Sequence, residues 1–225
     1  MEIKKIAEIE NGYSEKFGIP RQSGLAPSVL SRIVFAPEYR VKEAFRDIEG
    51  YSHLWLIWDF SEAHREEWSP TVRPPRLGGN KRTGVFATRS PFRPNPLGLS
   101  AVKLLRVELD SPDGPVLWVS GADLMNGTPI YDIKPYLAYA DSLPDAVGGF
   151  TDSAEKRKVA VEIPENIKNN LPKDILSAVV DILAEDPRPA YQNDPDRIYK
   201  MIFDGYEFAF FVKDELLTVS EVKKL

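Results

Sequence analysis

The chain has 225 residues, of which 43% are hydrophobic, so it can bury one large core or two smaller ones; having no cysteine, it excludes disulfide frameworks, thiol chemistry and thiolate metal sites. Asp and Glu total 34 against 29 Lys and Arg, and the net charge of -5 excludes a globally basic nucleic-acid binder. No run of about 18 apolar residues occurs, and "MEIKKIAEIENGY" has charges where the apolar part of a signal peptide would lie, so a cytoplasmic protein without a membrane partner is expected.

In chain order, "VLSRIVF" (29–35) reads as a strand, rich in β-branched residues. "PEYRVKEAFRDIEG" then places Val41, Ala44, Phe45 and Ile48 at helical spacing, with Pro37 before them and Gly50 as a stop, and predicts a helix. "SHLWLIWDF" (52–60), "TGVFAT" (83–88), "LSAVKLLRVEL" (99–109) and "PVLWVSGADL" (115–124) are further strands separated by Gly, Pro or Asp, a pattern of a barrel or sandwich. Neither a GxGxxG after a strand nor a GxxxxGK[ST] is present, so a Rossmann site and a P-loop are unsupported. A boundary is placed near Gly148 and Gly149, dividing the chain into residues 1–147 and 148–225. Beyond it, "PKDILSAVVDILAED" (172–186) puts Ile175, Val179, Ile182 and Leu183 on one helical face. "RIYKMIFDGYEFAFFVKDELLTVSEV" reads as a hairpin turning at Asp204 and Gly205, with a further strand after Glu215, which makes a small α+β domain.

The loops carry the chemistry. Between Glu67 and Glu108 there is no acidic residue, while Arg73, Arg76, Lys81, Arg82, Arg89, Arg93, Lys103 and Arg106 fall there. This is either a solvated surface balanced by acids elsewhere or a local site for anions. "ATRSPFRPNPLGLSA" (87–101) fixes its backbone with Pro91, Pro94 and Pro96 around Arg89, Arg93 and Asn95. "KFGIPRQSG" (16–24) and "ADLMNGTPIYDIKPY" (122–136) have the same stiff, polar texture; each alone reads as a turn held by local hydrogen bonds, and together they suit a preorganised small-molecule pocket. The only histidines, His53 and His64, lack a recognisable ligand spacing, so a hydrogen-bonding role is expected and no metal site.

"KFGIPRQSG", "SHLWLIW", "PTVRPPRLGGNKRTGVFATRSPFRPNPLGLS", "NGTPIYDIKPY" and "EDPRPAYQ" resemble the TrmO family of bacterial tRNA methyltransferases. The resemblance spans both units, with a long run from Pro70 to Ser100. It implies a mainly β fold: an N-terminal antiparallel β-barrel that binds S-adenosylmethionine, followed by the small α+β domain, in a homodimer that methylates the exocyclic nitrogen of threonylcarbamoyl-adenosine beside the anticodon of threonine tRNA. It further implies that Pro20, Arg21, Gln22, His64, Arg65, Arg89, Leu99, Asp123, Leu124, Met125 and Asn126 hold the cofactor. Asn126 stands where the family pattern "DGTP" has Asp, which removes a charge if that position steadies the sulfonium and changes nothing if it only makes a turn.

For tRNA, Arg73, Arg76, Arg93 and Lys134 are the candidate contacts, and Arg93 and Asn95 face either the tRNA or their own loop's backbone. The reacting nitrogen must lose a proton; Asp132 is the candidate base with Asp123 behind it, against turn capping or pairing with Lys134. Asp186, Arg188 and Tyr191 of "DPRPAY" either pack the second domain or touch tRNA. Because every proposed cofactor loop precedes residue 147, the barrel alone is expected to bind cofactor. A non-catalytic RNA-binding barrel and a methyltransferase acting on another substrate are the alternatives.

Overall fold

The computed structural model describes residues 2–74, 81–153, 158–189, 192 and 194–225. Its first sheet is built from β1 (Ala7–Glu10), β2 (Leu30–Phe35) and β3 (His53–Asp59), then, past a small ribbon of β4 (Thr71–Val72) and β5 (Thr83–Gly84), from β6 (Leu97–Ser111), β7 (Gly114–Ser120) and β8 (Pro129–Pro135). The six long members close into a barrel of order β1-β2-β7-β6-β3-β8 with every neighbouring pair antiparallel. Period-two alternation decides what the barrel encloses. Ile9, Ile33, Phe35, Leu54, Leu56, Trp58, Val102, Leu104, Leu117, Val119 and Ile130 form its core.

At one end the inward row of β6 changes from Leu104 and Val102 to the buried Ser100 and Gly98, and this loop-bearing end is the barrel's mouth. A Cβ on Gly98 would lie 2.1 Å from Trp58 Cε2, so glycine there is the seat of the indole.

Three expectations fail locally. Residues 37–50 form three 3-10 turns (Pro37–Tyr39, Lys42–Phe45, Ile48–Gly50) in place of a helix, because Val41 and Arg46 are extended and Asp47 is left-handed with φ 66°. Burial of Phe45 edge-on against Phe35, 4.7 Å between centroids, decides the path over helix propensity. "TGVFAT" keeps only two strand residues before a 3-10 turn at Val85–Ala87. "TPIYDIKPY", read above as loop, supplies β8: its prolines sit at the first and last strand positions, where a missing donor is tolerated, and Ile130 is buried in the core. β1 was not anticipated, since Glu8 and Glu10 mask the alternation of Ala7 and Ile9.

The second sheet has order β10-β11-β12-β9, from β9 (Ala160–Glu162), β10 (Tyr199–Phe203), β11 (Tyr206–Lys213) and β12 (Leu216–Lys224). The helix Lys173–Ala184 buries Ile175, Ala178, Val179, Ile182 and Leu183, the face expected from its spacing. Asp204 and Gly205, both at positive φ, turn the hairpin.

The hydrophobic cores do not divide where the sequence does. Tyr13, Ala26 and Val29, with Phe17 and Ile19, belong to the core of the second sheet and its helix. No helix among the described residues is long and apolar enough to cross a membrane.

Candidate cofactor and substrate site

Four loops meet at the barrel mouth. Gly24 donates its amide to the carbonyl of Gly121 at 2.7 Å, which joins the Pro20–Gln22 loop to the segment carrying Asp123–Asn126. Gln22 accepts a hydrogen bond from Arg89 Nη1 and donates to the Arg21 carbonyl, which ties the first loop to the proline-rich one. Phe60 donates to the Pro96 carbonyl at 2.8 Å, which ties in the end of β3.

Inside this ring runs a polar chain: Trp58 Nε1 donates to Ser100 Oγ at 2.9 Å, and Ser100 Oγ donates to Asp123 Oδ1 at 2.5 Å. Burial pushes the Asp123 carboxyl above its ordinary value, against the bonds from Ser100, its own amide and Ser23 and the nearby charge of Arg89. A half-buried carboxylate with a guanidinium beside it offers one group of each sign to a zwitterionic cation. Ser100 and Trp58 were missed in the sequence, where they read as ordinary inward strand residues; no local signal distinguishes a mouth from a barrel middle.

The remaining cofactor candidates divide. Pro20 is buried, Arg21 exposed, and Leu124 fully buried in the barrel core, which leaves its backbone to act: its carbonyl accepts from Asn11 Nδ2 at 2.9 Å. Met125 O caps the turn by accepting from Thr128 Oγ1 at 2.7 Å. Asn126 Oδ1 accepts the Asn11 amide at 3.0 Å, and its own amide donates to Tyr13 O, so here the residue serves the turn. Leu99 lies on the outer face of β6, opposite Ile57 and two residues from Leu97, the cross-strand partner of Asp59, and is 55% exposed.

At the end of β3 a second polar group forms. Asp59, 7% exposed, accepts from His64 Nε2 at 2.8 Å and from the Tyr131 hydroxyl at 3.1 Å. The turn Ser61–Ala63 folds His64 back over Asp59, and a bulge in β8 leaves Tyr131 without a partner between Ile130 and Asp132, which aims it at the same carboxylate. Burial first, then Asp59, raises the Tyr131 hydroxyl above its usual value, so it stays a donor. Asp59 and Tyr131 were also unmarked in the sequence. The Arg65 guanidinium lies 3.8 Å over the Phe92 ring.

Of the substrate candidates, Arg73 directly follows β4 and is exposed, Arg93 is half-buried with Nη1 donating to Thr88 O at 3.2 Å, and Arg76 lies outside the described residues. Asp132 and Lys134 pair at 2.9 Å on the outward row of β8, and Asp132 Oδ1 also accepts the Ile133 amide. Of the alternatives for Asp132, pairing with Lys134 is therefore observed. Beside the ribbon, Trp68 and Phe86 stand 51% and 73% exposed with centroids 6.0 Å apart. Asp186 and Arg188 form a buried bidentate pair at 2.7 and 2.9 Å, a packing contact; Tyr191 lies outside the described residues. Among the described residues no group of three His, Asp or Glu side chains is arranged to hold a metal ion.

Fold and site together define a β-barrel protein whose charged loops converge on one mouth, with a second domain bracing them. Residues 8–142 match the model of the tRNA-methyltransferase O N-terminal domain and residues 154–225 that of the TrmO C-terminal domain. The chain belongs to the TrmO family. It is 42% identical to a tRNA (adenine(37)-N6)-methyltransferase of Escherichia coli, over 85% of this chain and 83% of that one, and 46% identical to one of Eikenella corrodens, over 77% and 97%. A crystal structure of TrmO from Pseudomonas aeruginosa superposes with a TM-score of 0.79 at 32% identity, covering 99% of this chain and 98% of that one.

Proposed function

We propose that this protein, as a cytoplasmic homodimer, transfers a methyl group from S-adenosylmethionine to N6 of threonylcarbamoyl-adenosine beside the anticodon of threonine tRNA. The coarser statement, an S-adenosylmethionine-dependent tRNA methyltransferase acting on adenine N6, follows from the family and from the names its relatives carry. The cofactor supplies an electrophilic methyl on a sulfonium. The observation that supports its placement at the mouth is Asp123, raised by burial while Arg89 stands near it. In this reading Arg89 takes the cofactor carboxylate, Asp123 faces the sulfonium, and the backbone of Pro20–Gln22 and Leu124–Asn126 bonds the adenine and ribose, with Arg65 and Leu99 completing the set. Rigid loops suit the reaction because in-line positioning alone lowers a barrier by about 7 to 11 kcal/mol in favourable cases. Asp132, with Asp123 behind it, is a candidate acceptor for the departing proton.

The threonyl carboxylate gives the substrate an anionic handle that plain adenosine lacks, and Arg93 or Lys134 is the group to grip it. A site built around a charge discriminates against its absence, since its own charge is then left unpaired. Purified protein with labelled S-adenosylmethionine is expected to label threonine tRNA from cells, at the anticodon loop, and to leave the unmodified transcript unlabelled. Comparable labelling of both would remove threonylcarbamoyl-adenosine as the substrate; labelling of neither would favour the RNA-binding alternative.

The tRNA backbone is assigned to the acid-free segment, with Trp68 and Phe86 as exposed planes for unstacked bases. Replacing Arg73 and Arg76 by alanine is expected to weaken tRNA binding and to reduce the slope of log affinity against log salt by about one to two, with cofactor affinity unchanged. Parallel loss of both ligands would make these arginines structural.

A further inference from the structure

We propose that Asp59 and the Tyr131 hydroxyl hold the His64 imidazole with its proton on Nε2, so that Nδ1 accepts the proton leaving the target nitrogen during methyl transfer. The tautomer follows from the contacts alone; the proton's origin rests on the functional reading above.

A carboxylate as buried as Asp59 needs donors, and it has two, one on each oxygen: His64 Nε2 at 2.8 Å and Tyr131 Oη at 3.1 Å. Asp59 Oδ1 is the acceptor side of this contact, which assigns hydrogen to Nε2, and in that tautomer the lone pair is on Nδ1. The His64 side chain is 58% exposed, which leaves that nitrogen reachable from outside while its partner edge is fixed. A solvent-facing histidine without such an anchor would sample both tautomers and several rotamers. Here the turn before it and the bulge opposite it both converge on one acid.

The location fits the chemistry. Asp59 directly follows Trp58, whose indole begins the chain through Ser100 to Asp123. The two carboxylates thus trace back to neighbouring positions at the end of β3 but have different surroundings: Asp123 has Arg89 near it, and Asp59 has His64 and Tyr131. Separated environments of this kind divide roles between acids. Asp123 is then free to face a cation, and neither acid needs to take the proton itself.

In the step, the nitrogen lone pair forms the N–C bond to the methyl group and the C–S bonding pair remains on sulfur, which becomes a neutral thioether. The N–H proton passes to His64 Nδ1. The positive charge thus leaves sulfur and reappears on an imidazolium whose Nε2–H already points at Asp59, a charge-assisted contact that strengthens as the proton arrives. Asp59 and Tyr131 are positioning residues and His64 is the acceptor.

The test has two readouts. Long-range proton–nitrogen NMR on the free, full-length protein is expected to show His64 with hydrogen on Nε2, and Asp59→Asn, whose amide can donate, is expected to move it to Nδ1 or mix the two forms. Single-turnover transfer to cell-derived threonine tRNA at saturating cofactor is expected to fall about 10²- to 10⁴-fold in His64→Gln and in Asp59→Asn, with the calorimetric Kd for S-adenosylmethionine within threefold of wild type. His64 is exposed, so His64→Gln folds even where Asp59→Asn does not. The proposal is overturned by a wild-type His64 protonated on Nδ1. It is equally overturned by a His64→Gln variant with a full saturated rate and weaker cofactor binding, which makes the residue a cofactor contact only, or by Asp132→Asn causing the loss that His64→Gln spares. A wild-type protein that methylates no tRNA overturns the functional reading and the proton role with it, while the tautomer result still stands or falls on its own.

Discussion

A chain cut after residue 147 is expected to lose S-adenosylmethionine binding as well as tRNA methylation. The barrel contains every proposed cofactor loop, and from sequence it should suffice. In the fold, however, the segment leading into and out of Pro20–Gln22 is part of the second core: Tyr13, Ala26 and Val29 are buried there and Phe17 stacks at 6.4 Å on Phe210. Three hydrogen bonds fasten it further, from Asp204 N to Gly12 O at 2.9 Å, Ile202 N to Glu15 Oε1 at 2.9 Å and Ser28 N to Asp181 Oδ2 at 2.8 Å. Exposing Tyr13 and Val29 alone forfeits about 3 to 6 kcal/mol, a large part of a typical domain's 5 to 15 kcal/mol. The loop therefore loses its shape even if the barrel closes. A milder variant isolates the same cause in the full chain. Gly18 has φ +95°, and a Cβ there would sit 2.4 Å from Met201 Sδ, so Gly18→Ala should weaken cofactor binding while leaving the barrel's circular dichroism unchanged. Wild-type cofactor affinity in the truncated chain, by calorimetry, would show that the second domain is no part of the site.

The sequence made strands legible where one face is buried and the other wet, as in β2, β3, β6 and β7, and it made the helix Lys173–Ala184 legible by its apolar stripe. It misled where tertiary contacts override local preference. Phe45 anchors residues 37–50 by one contact with Phe35, which a helical wheel cannot distinguish from a helical face. β8 reads as a loop because proline marks both its ends, and its role depends on closure against β1 and β3, which only the assembled barrel supplies. The candidate site was marked by texture at Arg89, Gln22 and Asp123, charged and polar residues set among prolines and glycines. Ser100, Trp58, Asp59 and Tyr131 were illegible for the opposite reason. Each sits in or beside an ordinary alternating strand, and only the mouth of the barrel or a one-residue bulge turns it toward a loop.

Asp123→Asn is expected to make the free protein more stable at neutral pH and at the same time to weaken S-adenosylmethionine binding by on the order of 1.5 to 3 kcal/mol, about 10- to 150-fold. The two effects have one origin. Burial raises the Asp123 carboxyl above its ordinary value, and the bonds from Ser100, its own amide and Ser23, together with Arg89, do not bring it back. A carboxyl with a raised folded-state value favours folding in its protonated form: that contribution is complete below the unfolded value and is lost as pH rises through the folded one. Above the folded value the free protein therefore carries an ionised group in a place that disfavours it. Asparagine removes that cost, so melting temperature should rise and the fall in stability across the carboxylate range should shrink. Cofactor binding reverses the balance, because a sulfonium beside Asp123 replaces the water the carboxylate lost; asparagine offers it only a carbonyl dipole. Stability and binding should thus move in opposite directions, as they do where a site holds strain that its ligand relieves. A variant that melts lower than wild type would mean that the Ser100 bond outweighs the burial cost and that Asp123 is a structural acid. Unchanged affinity in a more stable variant would leave the buried charge real and remove the sulfonium as its partner.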